Sequence, residues 1–323
     1  MEPDNQTPLK ILVTGASGFV GLRVLTQAHN KGYELVAQSR SQQAYAFEQV
    51  LLDITPETDW QSALVGVDCV VHCAARVHQM QETEVDVLKA YREVNTEGTL
   101  NLARQAVSAG IKRFIFLSSI KVNGEQTQAG VAFQWNDQNI PVDPYGLSKY
   151  EAEQQLLALA ERTGLEVVII RPPLVYGEGV KANFLSMMNW VRKQIPLPLG
   201  AVRNQRSLVY LDNLVDLILV CCQHPKAAGE IFLVSDNYDV SLTMLLKTIA
   251  QAMHIRPRLL PIPQTWLQWL LSLLGKPELG QRLCGNLQLD ITHTQKTLNW
   301  SPPVSFEQGI KRTVSFYLSQ SSK

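Results

Sequence analysis

The stretch Lys10-Ile-Leu-Val-Thr-Gly-Ala-Ser-Gly-Phe-Val-Gly21 decides the fold, because an apolar run is followed by three regularly spaced glycines. The apolar residues 11–13 predict a buried parallel strand, and a helical pattern restarts near Phe19. Glycines at 15, 18 and 21 allow a tight turn, the close approach of a diphosphate and close packing of the helix on the strand. The N-terminus of that helix offers free N–H groups to phosphates. A glycine triplet alone is a weak signal, but between a strand and a helix it predicts a dinucleotide-binding α/β fold.

Composition limits the class of protein. The 323 residues have room for one large α/β domain or a large domain with a smaller lobe. The formal net charge is zero, so it gives no reason to expect a nucleic acid as partner. The five cysteines are odd in number and lie in apolar runs without a zinc-ligand spacing, so we expect reduced thiols, no metal site and a cytoplasmic protein. The acidic N-terminus is unlike a secretory signal, and no apolar run reaches the ~20 residues of a membrane span.

Further apolar runs predict the remaining strands of the sheet. They lie at residues 34–38, 51–54, 69–72, 114–117 and 167–170. Because helical patterns alternate with them, notably at 85–109 and 144–162, we predict a Rossmann-type, doubly wound parallel sheet. In such sheets ligands bind beyond the carboxyl ends of the strands. The residues that follow each predicted strand are therefore the first candidates for contacts with a ligand.

The residues after the second predicted strand bear on the choice of dinucleotide. An NAD site normally places Asp or Glu here to accept a hydrogen bond from a ribose 2′-hydroxyl, whereas this chain has Ser39 followed by Arg40. A carboxylate repels a 2′-phosphate and a guanidinium binds it, so the pair favours NADP, with NAD as the alternative. The simpler interpretation is that Arg40 is a solvated charge in a loop and contacts no ligand. Asp53 is placed to bond the adenine amino group, and the small side chains of Ala74 and Ala75 leave room for the cofactor.

Three residues in the middle of the chain predict acid–base chemistry. Tyr145 and Lys149 lie one helical turn apart, so their side chains share a face, and Ser119 follows the fifth predicted strand. Lowering a tyrosine pKa from about 10 to about 7 needs about 4 kcal/mol, which a neighbouring ammonium and an oxidised nicotinamide supply in a dry cleft. Tyr145 then passes a proton to or from an oxygen while hydride moves, with Ser119 holding that oxygen and Lys149 the nicotinamide ribose. His72 is interpreted as a hydrogen-bonded core residue and His78 as an exposed one.

Five segments together resemble the extended short-chain dehydrogenase/reductase family, in particular its nucleotide-sugar epimerase, dehydratase and reductase branch. They are Thr14-Gly-Ala-Ser-Gly-Phe-Val-Gly21, His72-Cys-Ala-Ala75, Asn95-Thr-Glu-Gly-Thr99, Ser118-Ser119 and Tyr145-Gly-Leu-Ser-Lys149. The resemblance covers residues 9–318 and implies that Ser119, Tyr145 and Lys149 are the catalytic triad, with Asn95 supporting the helix and the proton path. The residues predicted to contact the cofactor are Gly15, Ser17, Gly18, Phe19, Val20, Arg40, Asp53, Ile54, Ala74, Ala75, Asn95, Tyr145, Lys149 and Pro172.

The second half of the chain resembles the substrate-binding part of that family. Asn183, at a predicted helix start, and Arg206 match family residues that bind a nucleotide diphosphate, and Arg282 is a weaker candidate for the same ligand. Lys121, shortly after the predicted catalytic serine, is a further predicted substrate contact. Leu174 stands where UDP-galactose 4-epimerases carry an asparagine, so that contact with the sugar is not carried over.

The resemblance implies an oxidoreductase acting at C4 of a UDP-sugar in surface polysaccharide biosynthesis. Residues 119–125 and 195–200 resemble UDP-N-acetylquinovosamine dehydrogenases, and the Ser39–Arg40 pair suits net reduction of a UDP-4-keto-6-deoxy-HexNAc by NADPH. The alternative is a UDP-glucose or UDP-N-acetylglucosamine 4-epimerase, which oxidises and re-reduces C4 and keeps NAD bound. A cofactor-binding regulator without catalysis requires a broken triad, and here the triad is intact.

The same resemblance implies how the chain is organised. Residues 9–175 are predicted to form an NAD(P)-binding Rossmann domain, and residues 176–320 a smaller α/β substrate lobe interleaved with it. A homodimer is implied, and the stripe Leu156, Leu159 and Ala160 is either its contact face or a buried face of a monomer. The apolar segment 264–275 is expected to be a core helix, with an interfacial helix or lid as the alternative.

Overall fold

The computed structural model describes residues 8–77 and 86–321. The strands are β1 (Lys10–Thr14), β2 (Glu34–Ser39), β3 (Glu48–Leu51), β4 (Cys69–His72), β5 (Arg113–Leu117), β6 (Glu166–Arg171), β7 (Leu174–Tyr176), β8 (Leu208–Tyr210) and β9 (Ile231–Leu233). The α-helices are α1 (Phe19–Asn30), α2 (Val87–Tyr91), α3 (Thr99–Ser108), α4 (Pro144–Thr163), α5 (Ala182–Arg192), α6 (Leu211–Gln223), α7 (Leu242–Ala252), α8 (Gln264–Leu273), α9 (Pro277–Cys284), α10 (Thr292–Leu298) and α11 (Phe306–Ser321).

Seven parallel strands form the central sheet, in the order β3-β2-β1-β4-β5-β6-β9. Ile11 in β1 lies opposite Leu35 on one side and Cys69 on the other. The inner strands are buried along nearly their whole length, with apolar residues at their centres, because helices cover both faces of the sheet. The strand order runs outward in opposite directions from β1 and β4, which is the topological switch point where such sheets bind ligands. The structure therefore confirms the predicted Rossmann-type, doubly wound parallel sheet.

Helices pack on both faces of this sheet. Helices α1 and α6 bury one face, and α3 and α4 bury the other. Leu156 and Leu159 are buried in this second layer, so most of the apolar stripe of α4 already packs within a single chain. A separate core lies among α5, α7 and α11, with Phe184 and Ile310 fully buried. Phe19 packs against both this core and the first layer and so joins them.

The third strand is not where the apolar run predicts it. The prediction is 51–54, whereas β3 is Glu48–Leu51 and pairs with residues 36–39 of β2. β3 is the edge of the sheet and is half-exposed, so it does not need the continuous apolar run that strands buried on both faces show. Ile54 is buried for another reason, because its side chain packs where a Cβ on Gly98 would lie only 2.9 Å away.

The carboxyl ends of β1, β4, β5 and β6 lie at one edge of the sheet, because the strands are parallel and adjacent. The glycine turn, residues 73–76, the Ser118-Ser119 pair and Pro172 follow these strands directly. The sheet therefore gathers residues that are far apart in the sequence.

Among the helices described, none is both long and apolar enough to cross a membrane.

Candidate active site

The glycine turn between β1 and α1 requires glycine at two positions for steric reasons. Gly15 has φ of +65°, and a Cβ there would lie 2.9 Å from the backbone of Ala74. A Cβ on Gly21 would lie 2.3 Å from the carbonyl oxygen of Gly15, so only glycine lets α1 pack this close to the turn. Ser17 and Gly18 are exposed on the turn. The first turn of α1 has no capping side chain and no acidic residue, which suits an anionic diphosphate.

A buried glutamine that the motif does not include holds this turn. The backbone N–H of Gly15 donates to Oε1 of Gln38 at 2.9 Å, and the backbone N–H of Ala16 donates to the Gln38 carbonyl at 2.9 Å. The hydroxyl of Tyr45 donates to the Ala16 carbonyl at 3.0 Å from the other side. A polar residue inside the apolar strand β2 is the sequence signal that points to Gln38.

The end of β2 carries no carboxylate. Ser39 is buried, and its hydroxyl donates to the carbonyl of Ser41 at 2.6 Å, so it is engaged within its own loop. Arg40 is exposed beside it, and no acidic side chain among the described residues forms an ion pair with it. Asp53 is also exposed, beyond β3. This geometry leaves the guanidinium of Arg40 accessible to an anion, as the NADP prediction requires.

His72 and Asn95 are structural supports at the end of β4. His72 is fully buried between the hydroxyls of Thr14 and Thr99, at 2.7 and 2.9 Å, and burial with the nearby Lys149 lowers its pKa to about 3. It is therefore neutral at pH 7, as a core residue should be. His78 lies outside the described residues.

A π-helical segment, Arg92–Gly98, joins α2 to α3 and directs Asn95 inward. Asn95 is fully buried, and its Oδ1 accepts the backbone N–H of Arg76 at 2.8 Å. Its Nδ2 donates to the Arg76 carbonyl and to the Ser148 hydroxyl, each at 3.0 Å. Asn95 thus ties the loop after β4, which includes Ala74 and Ala75, to the residue just before Lys149.

The three predicted catalytic residues meet at the end of β5. Helix α4 begins at Pro144, capped by Asp143, and its first turn places Tyr145 near Ser119, whose side chain lowers the pKa of Tyr145. Lys149 is buried, its Nζ donates to the Leu117 carbonyl at 2.9 Å, and the same Nζ lies 4.4 Å from the centroid of the Phe116 ring. Ser119 also caps the short turn that follows it.

Burial dominates the electrostatics of these residues. It is the largest of the effects that together raise the pKa of Tyr145 to about 12: the nearby Ser119 side chain opposes it, and the Asp143 carboxylate and Tyr91 act in the same direction as burial. Burial lowers the pKa of Lys149 from 10.5 to about 8. The predicted lowering of the Tyr145 pKa relies on Lys149 and a bound nicotinamide together, and in the chain alone burial raises that pKa. Any lowering must come from a further positive charge bound at the site.

A buried ion pair lies behind the predicted triad and was not part of the motif. Glu153, one turn after Lys149, is fully buried and accepts two hydrogen bonds from Arg171, at 3.0 and 2.5 Å, and one from the Ser118 hydroxyl. Arg171 also donates to Oδ1 of Asn123 at 3.0 Å. The pair connects α4, β5 and β6 at the place where their residues form the site. The spacing of four from Lys149 could have pointed to Glu153, although not to its partner Arg171.

The predicted substrate contacts fall into separate groups. Lys121 lies 6.0 Å from the centroid of the Tyr145 ring and forms ion pairs with Asp143 at 3.0 Å and Glu125 at 3.3 Å. The carbonyl of Pro172 accepts the backbone N–H of Ile120 at 3.0 Å, which fixes the segment between Ser119 and Lys121.

The two predicted arginines are neighbours. Arg206 donates to the carbonyl of Arg282 at 3.0 Å and to that of Gly285 at 3.3 Å, and burial together with the charge of Arg282 lowers the pKa of Arg206. Two adjacent guanidinium groups favour an anion between or beside them. Asn183 is exposed in the first turn of α5, whose N-terminus has no capping side chain. No hydrogen bond between described residues links Asn183 to the arginines.

Taken together, the glycine turn and the Ser119, Tyr145 and Lys149 cluster at one sheet edge define a Rossmann-fold enzyme that uses a nicotinamide dinucleotide. Residues 11–235 match the family model described as the NAD dependent epimerase/dehydratase family. A Vibrio cholerae protein named UDP-glucose 4-epimerase is 47% identical over 99% of both chains. The chain therefore belongs to the NAD-dependent epimerase/dehydratase family, and it is a nucleotide-sugar enzyme of the extended short-chain dehydrogenase/reductase type.

Two more distant proteins are similar over nearly the whole chain. The N-acetyl-alpha-D-glucosaminyl-diphospho-ditrans,octacis-undecaprenol 4-epimerase of Escherichia coli O157:H7 is 26% identical over 95% of this chain and 94% of its own. The crystal structure of UDP-glucuronic acid 4-epimerase from Bacillus cereus in complex with NAD matches with a TM-score of 0.79 and 20% identity, covering 98% of this chain and 100% of its own. At that identity the second match supports the fold alone.

Proposed function

We propose that the protein is a UDP-hexose 4-epimerase that works with a retained NAD. The observation that carries this proposal is the 47% identity, over 99% of both chains, to a protein named UDP-glucose 4-epimerase. The more distant E. coli relative is also named a 4-epimerase, although of a lipid-linked sugar. These relatives favour the epimerase over the NADPH-dependent 4-reductase that the Ser39–Arg40 pair suggests. An epimerase oxidises C4 and reduces it again in the same site, so it consumes no cofactor.

Tyr145 is the proposed acid–base residue of the reaction. It takes the proton of the C4 hydroxyl as hydride leaves C4, and it returns a proton to the same oxygen when hydride comes back. Ser119, whose side chain lies next to Tyr145, holds that oxygen. NAD bound here supplies the hydride acceptor and a positive charge that favours the phenolate of Tyr145. Lys149 uses one of its three donors on Leu117, which leaves two for the ribose.

The remaining predicted contacts hold the two ligands. The glycine turn fits a dinucleotide diphosphate, because Gly18 is exposed and the N-terminus of α1 has neither a capping side chain nor an acidic residue in its first turn. We propose that Arg206 and Arg282 bind the diphosphate of the UDP-sugar, with Asn183 and Lys121 completing the site. Residues 9–175 then serve the dinucleotide and residues 176–320 the sugar nucleotide. A cytoplasmic location and a homodimer remain parts of this proposal.

A 4-reductase is the second candidate because of one observation. The end of β2 offers no carboxylate to a ribose 2′-hydroxyl, and the exposed Arg40 is free to bind a 2′-phosphate. An enzyme that draws on a pool of NADPH fits this feature, and it would reduce a UDP-4-keto-6-deoxy-HexNAc. The two candidates differ in whether the cofactor is consumed.

The test measures both sugar exchange and cofactor consumption. Purified protein is incubated without added cofactor with UDP-glucose, UDP-galactose, UDP-GlcNAc, UDP-GalNAc or undecaprenyl-diphosphate-linked GlcNAc, and the products are followed by NMR. A parallel reaction contains a UDP-4-keto-6-deoxy-HexNAc and NADPH. We expect exchange of a C4 epimer pair without added cofactor, and NAD released on denaturation. Stoichiometric NADPH oxidation without epimer exchange would establish the reductase instead.

A further inference from the structure

Helix α8 is apolar on two opposite faces. Leu267 is 4% exposed and packs inward, and Leu271 one turn later is partly buried in the same core. On the opposite side, Trp266 and Trp269 are 70% and 66% exposed, and Leu270 and Leu273 are also exposed. The spacing of three, four and seven residues places these four side chains in one stripe, here named the Trp266 face. Only the inner stripe is needed to hold α8 in the fold.

The surroundings of the Trp266 face are positively charged. Residues 264–275 contain no charged side chain. The nearest charged residues on both sides are the exposed Arg256, Arg258, Lys276 and Arg282, against one exposed acid, Glu278. Gln264 donates to the carbonyl of Cys284 at 3.1 Å, so α8 and α9 form a hairpin. Lys276 and Arg282 lie on this hairpin, and Arg256 and Arg258 lie on the segment that leads into it.

We propose that the Trp266 face docks the protein on an anionic bilayer surface, with α8 lying in the plane of the interface. Exposed tryptophans with leucines on one side of a helix and Lys or Arg at the margin are the pattern of interfacial helices. With ten residues, α8 is about 15 Å long, half the ~30 Å needed to span the hydrocarbon core, so it lies on the membrane rather than through it. The basic margin complements anionic headgroups.

The same charges argue against a second copy as the occupant. A two-fold contact through this face would bring the same margin of four cations against itself, with one acid on each side to offset them. An anionic lipid surface neutralises these cations without requiring a complementary protein. The hairpin also contacts Arg206 through the Arg282 carbonyl, so docking would place the proposed diphosphate site next to the membrane. The proposal does not depend on which sugar is converted.

The test is binding of the full-length protein to vesicles. The protein is sedimented with vesicles of phosphatidylglycerol and phosphatidylcholine, or of phosphatidylcholine alone, at low and high salt. The double variant Trp266→Gln/Trp269→Gln should bind the anionic vesicles at least about tenfold more weakly. Val65→Gln, at an exposed apolar position in another part of the fold, should bind like the wild type. Arg258→Gln/Lys276→Gln should lose the preference for anionic lipid, and salt should weaken wild-type binding.

Tryptophan quenching by brominated lipid gives a second measurement, made on the wild type, that does not rely on the folding of a variant. Quenching on anionic vesicles supports the proposal. Absence of vesicle binding, equal binding to neutral and anionic vesicles, or wild-type binding by the double tryptophan variant overturns it. A change of oligomeric state in the double variant without lipid, seen by analytical ultracentrifugation, would assign the face to a second copy and also overturn it. Epimerase activity is measured in a separate assay without vesicles. Failure of the proposed function is therefore distinguished from failure of membrane docking.

Discussion

Replacing Glu153 with glutamine tests the buried ion pair behind the proposed catalytic residues. Glu153 is fully buried, and Arg171 is 4% exposed. Two hydrogen bonds join them, at 3.0 and 2.5 Å. Glutamine keeps the shape and one oxygen acceptor but removes the negative charge. The guanidinium of Arg171 then stays buried without a counter-ion, which is far more costly than losing an exposed pair.

The expected loss in the free energy of unfolding is about 3–5 kcal/mol, the usual range for breaking one side of a buried pair. With 323 residues and roughly 2.1 cal/mol/K of unfolding entropy per residue, this lowers the Tm by about 4–7 °C. Glu151→Gln is the matched control on the same helix. Its partner Arg92 lies 2.5 Å away, but the two side chains are 23% and 41% exposed, so we expect a loss of at most about 1 kcal/mol.

Thermal and urea unfolding of the two variants, followed by circular dichroism, measure this difference. The substitution has a second readout, because the charge of Glu153 raises the pKa of Lys149 and its removal lowers that pKa further below about 8. If turnover requires the Lys149 ammonium, the alkaline limb of the pH–rate profile moves to lower pH in Glu153→Gln and stays in place in Glu151→Gln. Equal loss of stability in the two variants would refute the argument from burial.

Three further predictions concern single side chains. Tyr145→Phe should lower turnover at least about a hundredfold while the dinucleotide stays bound. Normal turnover in this variant would show that Tyr145 is not the acid–base residue. Arg40→Ala should weaken NADPH binding, measured by calorimetry, more than NADH binding, and equal weakening would contradict a 2′-phosphate contact. His72 has a pKa of about 3 when folded and a usual value of 6.5, so the unfolded chain binds an extra proton between these values. The free energy of unfolding should therefore fall as pH drops from 6.5 towards 3, and His72→Gln should flatten this dependence in urea titrations; an unchanged slope would rule out His72 as its cause.

The sequence predicts the fold well where strands are buried on both faces. Residues 69–72 coincide with β4, and the helical pattern predicted to restart near Phe19 coincides with the start of α1, because a continuous apolar run and the glycine turn mark these limits. The position of the edge strand β3 is not predicted, because its half-exposed residues show no strong apolar pattern. The nearby Ile54 adds to the apolar run although it is buried against a helix and not in the strand. The helix predicted at 85–109 is interrupted by the π-helical segment that turns Asn95 inward, a deviation that side-chain periodicity cannot reveal.

Much of the candidate site is predictable, because its residues follow strands and parallel strands end together. Tyr145 lies next to Ser119, and Lys149 reaches the Leu117 carbonyl at the end of β5. The catalytic functions of the three residues stay predictions. The supports of the site are less visible. Gln38 and Arg171 act through hydrogen bonds to residues 23 and 18 positions away, and no local pattern encodes such pairs. The contact of Arg206 with the carbonyl of Arg282 likewise joins two segments 76 residues apart.

The electrostatics of the site explain why burial and catalysis are compatible. Burial raises the pKa of Tyr145 to about 12, so the chain alone keeps the phenol protonated. The interaction between two charges grows as the surrounding dielectric constant falls, so the same burial amplifies the effect of any cation placed near the phenol. Lys149, with a pKa of about 8, remains largely protonated at pH 7 and is held in place by the Leu117 carbonyl. The site therefore has little base strength until a further positive charge is bound, so in the proposed reaction removal of the C4 hydroxyl proton is restricted to the complex that also holds the hydride acceptor.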